Sequence, residues 1–187
     1  MLIAIVTLVI VASIPAFGGR YATFAELRLH GTWLVSAALG TQIAIISAFD
    51  IPSPLISRSL HASTYLMIGI CLTLNRTLRW LWILALGWAC NFAAIAANLG
   101  VMPTSTSAAH AIGRTTSTTF ENSAPITNAH LSFLGDIFAT PQSMPMTNVF
   151  SIGDLLLVTG FALVVITASR TNADLPTTKL AHIHPTC

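Results

Sequence analysis

Asp136 and Asp154 are the residues best placed to do chemistry in this chain of 187 residues. Each directly follows a glycine, Gly135 and Gly153, and each stands among apolar neighbours. A carboxylate in apolar surroundings is costly unless a donor or a cation meets it. Two carboxylates brought close could share one proton, which would link binding at such a site to pH. Asn91 and Asn98 add two amides, two helical turns apart and on the same face as Gly87 and Ala94. Amides inside an apolar segment seek partners. They either join helices or line a cavity. Asn91, Asn98, Asp136 and Asp154 are therefore the candidate polar site. Gly100, Met102, Pro103, Gly135, Ser151 and Gly153 support it, because they flank these residues in short motifs. Asp154 also has a local reading. Ser151-x-x-Asp154 before an apolar run has the spacing of a capping box, and an acid there complements the helix dipole.

Nucleophilic or metal chemistry finds less support. His61, His110 and His130 occur without His-x-x-x-His, Gly-x-Ser-x-Gly or Glu-x-x-His spacing. The terminal His182, His184 and Cys187 supply three donors, too few for a closed zinc site. The sequence assigns no catalytic residue, metal or cofactor, and leans against an enzyme.

The elements that would position these residues follow from where charge is missing. Only 7% of residues are charged and 54% are hydrophobic. A soluble surface needs several times that charge, a disordered chain the opposite balance, and a nucleic-acid binder more than a net +2. An integral membrane protein remains. Crossing a bilayer takes about 20 apolar helical residues. The charge-poor stretches predict five transmembrane helices, at about 2–17, 32–49, 60–75, 79–98 and 152–169, in an all-α polytopic bundle. The first lacks the basic flank and cleavage site of a signal peptide.

Six basic residues, Arg20, Arg28, Arg76, Arg79, Arg170 and Lys179, fall on one side of that arrangement, against Arg58 and Arg114 on the other. The positive-inside rule then predicts an N-out/C-in orientation. Residues 1–170 are expected to form one transmembrane domain and 171–187 a flexible cytoplasmic tail. A long outer loop, 99–150, would hold a Ser/Thr-rich strap at Thr104–Thr119 and a short re-entrant or interfacial segment at Leu131–Ala139. Gly18–Gly31 suits a short interfacial helix or a plain connecting loop. Small residues recur every four positions in the second helix (Thr32, Ser36, Gly40, Ala44, Ala48) and in the fourth (Ala85, Ala89, Ala93, Ala97), predicting that these two pack closely. Cys71 and Cys90 lie at different depths and are expected to be free packing residues.

Several motifs resemble an uncharacterised bacterial family of small integral membrane proteins, a domain of unknown function. They are Gly18-Gly19-Arg20, Leu27-Arg28-Leu29 with Gly31 and Trp33, and Asn91 followed by Ala97-Asn98-Leu99-Gly100-Val101-Met102-Pro103. Phe133-Leu134-Gly135-Asp136 and Ser151-Ile152-Gly153-Asp154 complete the set. The resemblance implies a multi-helix membrane fold and no known activity. The expected location is the inner (cytoplasmic) membrane, crossed several times. The expected partners are the lipid bilayer and other membrane-protein subunits, not nucleic acid. An accessory or scaffold component of a membrane complex is the favoured reading. The alternative is a binding or transport component with a polar site at its outer mouth, and an intramembrane enzyme ranks third. No ligand is indicated.

Overall fold

The computed structural model describes residues 2–45, 53–113, 123–141, 143 and 147–170. The end of the expected second helix, the start of the turn after it, the last six residues of the Ser/Thr strap and the whole tail lie outside the described residues.

Helix α1 (Leu2–Ala12) gives way at Ser13 to a 3-10 turn, Ile14–Phe17. Pro15 lacks the N–H that an α-helix would use there. A five-residue helix, α2 (Tyr21–Ala25), follows, and then α3 (Thr32–Ile43). Helix α4 (Pro54–Leu74) begins six residues before the expected start. A proline that stops a helix from behind also suits the first turn of a new one. Helix α5 (Leu81–Ala97) and helix α7 (Ile152–Arg170) form the most extensive contact in the molecule.

The α5–α7 seam depends on missing side chains. A Cβ on Gly160 would collide with the backbone of Leu84, and one on Gly87 with the carbonyl of Gly153. Helix α3 packs on α4, while α1 and α2 pack on α7. The expected contact between the two small-residue ridges is therefore corrected. Gly40 has nothing within 4 Å of its Cβ position. The face of α5 that is buried is the one bearing Gly87, Asn91 and Ala94.

Between α5 and α7 the chain forms β1 (Met102–Thr104), a short helix α6 (Thr106–Ala111), β2 (Ser123–Pro125), β3 (Asp136–Ala139) and β4 (Val149–Ser151). The sheet order is β2-β1-β3-β4. β1 runs parallel to β2 and β3, and β4 antiparallel to β3.

This sheet overturns the expected all-α bundle of five membrane spans. Among the described residues only α4 and α7 are long and apolar enough to cross a membrane, over Leu55–Leu74 and Ile152–Arg170. A charge-free run records apolarity and not continuity. α1 breaks at Ser13, and α5, at 17 residues, rises about 25 Å where about 30 Å is needed. The N-out/C-in orientation rested on five crossings and falls with them. Leu131–Ala139, expected as one re-entrant or interfacial segment, is not a single element. It divides into a 3-10 turn at Ser132–Leu134 and strand β3.

Candidate functional site

The sheet assembles three of the sequence motifs at one end of the molecule. Thr104 lies opposite Asp136 across β1 and β3, and Asp136 opposite Ser151 across β3 and β4. Met102-Pro103, Gly135-Asp136 and Ser151 through Asp154 thus become neighbours. Gly135 is required by the closeness of β1: a Cβ there would collide with the Pro103 carbonyl.

Asn91, Ser151 and Asp154 form one hydrogen-bonded cluster between α5 and the start of α7. The Asn91 amide donates from Nδ2 to Asp154 Oδ1 at 2.8 Å, and its Oδ1 accepts from Ser151 Oγ at 2.9 Å. The capping box forms around it. The Ser151 N–H donates to Asp154 Oδ2 and the Asp154 N–H to Ser151 Oγ, each at 3.0 Å. Ser151 is wholly buried and Asn91 nearly so. Gly153 leaves room for the amide, since a Cβ there would strike Asn91 Oδ1. A cap that is ordinarily local is here tied to a second helix 60 residues away.

Asn98 acts elsewhere. It closes α5 and grips the backbone of residue 130 at two points. Its Nδ2 donates to the His130 carbonyl at 2.7 Å, and its Oδ1 accepts from the His130 N–H at 3.0 Å. Leu99 and Gly100 then turn the chain with φ of 56° and 90°, and the Gly100 N–H returns to the Ile95 carbonyl at 2.9 Å. That is a Schellman closure with leucine in the position usually given to glycine.

Asp136 is buried within the sheet. Ser123 Oγ donates to its Oδ2 at 2.5 Å, and Thr104 Oγ1 lies 2.6 Å from Ser123 Oγ. The hydroxyls of β1 and β2 thus form a short chain ending on the carboxylate. Of the four candidate residues, Asn91 and Asp154 meet directly. Asp136 joins them through the backbone of Ser151. Asn98 serves a separate contact.

Sequence reasoning missed Asn75 and Ser123, and weighed His61 only for nucleophilic or metal chemistry. Asn75 repeats the Asn98 geometry at the end of α4. Its Oδ1 accepts from the His30 N–H and its Nδ2 donates to the His30 carbonyl, both at 2.8 Å. An asparagine ending an apolar helix was the available signal. The buried His61 donates from Nδ1 to the Gly100 carbonyl at 2.9 Å. It fixes the turn after α5 against α4. Ser123 lay in the polar loop, where nothing local marks one serine from another.

Among the described residues, no three His, Cys, Asp or Glu side chains gather as a metal-binding group. None of the four candidates lines either of two cavities at the other end of the molecule. Chemically, the arrangement joins elements: each amide and carboxylate bonds a neighbouring strand, helix or turn.

No curated protein matches the chain, and no solved structure does. The sequence profile of a family of unknown function, DUF5317, matches residues 26–166. The stretch runs from the end of α2 through the sheet and nearly to the end of α7. With that match over three quarters of its length, the chain belongs to the DUF5317 family.

Proposed function

We propose that this protein is a membrane-embedded accessory or scaffold component, which holds a fixed shape for other membrane subunits and performs no chemistry of its own. The observation that carries this is the direction of its polar and apolar groups. Asn91, Asn98, Asp136 and Asp154 turn inward onto other elements. Large apolar side chains point outward: Leu55 is 73% exposed, Leu8 70% and Trp33 69%. Only 28% of the Leu55–Leu74 window and 22% of the Ile152–Arg170 window is buried within the chain. That is too little for core helices of a soluble domain. Lipid and neighbouring subunits supply the missing cover.

A transport role would need the polar residues to line a path. Asn91 and Asp154 instead bond one another, so the scaffold reading is favoured.

Migration on a native gel tests it. After solubilisation in digitonin, the protein is expected to run in a complex of fixed stoichiometry with a second membrane protein. Migration as a lone chain in digitonin would contradict the scaffold role.

A further inference from the structure

The end of the molecule opposite the sheet carries a cleft that nothing above uses. It encloses about 260 Å³, and its walls include Leu27, Ile68, Leu84, Phe161 and Val165. It continues into a wider groove of about 590 Å³, with Leu27, Leu78 and Val164 common to both. The groove adds a polar rim: Thr23, Glu26, Thr77, Arg79 and Thr167. An apolar slot opening onto a polar mouth has the shape of a lipid site. The slot falls just below the range of about 300–1,000 Å³ usual for drug-sized ligands, which suits a single acyl chain.

Charge selects the headgroup. Five arginines come from segments gathered at this end. The Arg20 N–H donates to the Ser169 carbonyl at 3.0 Å, and the Arg170 guanidinium donates to the Phe17 carbonyl. Arg76 follows Asn75, which grips His30. Arg28 stands between Leu27 and Leu29, both walls of the cleft. Arg79 is the cation on the groove itself, its Cζ 5.1 Å from the centre of the Trp80 ring. Glu26 is the one acid among these segments of the described chain. Five cations against one acid favour an anionic headgroup over a zwitterionic one. A guanidinium matches phosphate with two parallel hydrogen bonds.

We infer that this cleft holds one anionic glycerophospholipid, with an acyl chain between α4, α5 and α7 and its phosphate at Arg79. The inference rests on the membrane residence proposed above and adds a ligand class to it.

Native mass spectrometry of the full chain, released from detergent after incubation with defined lipids, tests it. The probes are palmitoyl-oleoyl phosphatidylglycerol and the phosphatidylcholine with the same chains. The wild type is expected to retain one phosphatidylglycerol at about fivefold preference or more, because its headgroup keeps a net negative charge where choline cancels it and each nearby cation contributes about 1 kcal/mol. Arg79→Gln should narrow that preference with the melting temperature unchanged. Val164→Trp, which fills the slot, should lower retention of both lipids. Leu27→Ser, outside any helix, gives the same reading without crowding the core. Excess glycerol 3-phosphate should not displace the lipid. Equal retention of the two lipids by the wild type would overturn the inference, as would an unchanged preference in Arg79→Gln. Displacement by glycerol 3-phosphate alone would show that the slot takes no chain. The readout uses purified protein, so its failure is separate from failure to migrate in a complex.

Discussion

Asn91 commits both ends of its amide to groups at the start of α7, one to Ser151 Oγ and one to Asp154. Removing it leaves a buried hydroxyl and a carboxylate each short of a partner. Hydrogen bonds to a charged group contribute about 1.5–3 kcal/mol each, so Asn91→Ala is expected to lower stability by about 2 kcal/mol. Asp154→Ala should cost a similar amount, and the double variant less than the sum, because both delete the same bond. Additive losses in detergent melting curves would separate the two residues. Leu99 tests the opposite sign. It holds φ of 56° while 78% exposed, a left-handed conformation that costs a side-chain-bearing residue about 1–2 kcal/mol. Leu99→Gly is expected to stabilise the chain by about 1 kcal/mol, read from the melting midpoint. A loss would mean that the leucine side chain holds the turn. At this scale the capping pair was legible, because Ser151 and Asp154 are three residues apart and the motif is local. Its link to Asn91 spans 63 residues, and no local pattern announces such a partner.

Two asparagines do the same work at two helix ends. Asn75 closes α4 and grips His30, and Asn98 closes α5 and grips His130. Each offers one donor and one acceptor to a single residue's backbone, as a neighbouring strand would. Asn98→Ala should therefore loosen the 3-10 turn at Ser132–Leu134 and leave α5 intact. Hydrogen exchange checks this: amides of residues 130–135 should lose protection while those of residues 85–95 keep theirs. Equal loss in both would mean that Asn98 stabilises the helix and not the loop. The sequence reading located much of α5 and α7 because their apolar runs are long. It missed the sheet for a physical reason. Met102–Thr104 and Ser123–Pro125 are three residues each and contain proline. Neither shows alternation long enough to read, and their stability comes from partners distant in sequence. Pro54 opens α4, and a proline alone does not tell the end of one helix from the first turn of the next.

For the whole molecule, scarcity of charge retains its force after the count of spans has changed. Two helices, α4 and α7, have the length and apolarity to cross a membrane, and the sheet covers the end where both begin. Asn91 and Asp154 fasten α5 to the start of α7, Asp136 ties strands within the sheet, and Asn98 holds the backbone of His130. The arginines gather at the opposite end, beside the apolar cleft. This division was partly legible: the sequence set six basic residues apart from two, but it could not show that Asp136 would be enclosed by strands. The central claim is that the outward apolar faces lie in a bilayer and the polar cluster inside only holds them in place. Extraction of bacterial membranes carrying the full chain with alkaline carbonate tests this most directly. The protein is expected to stay wholly in the membrane pellet, as an embedded chain must. Its release into the supernatant would contradict the account.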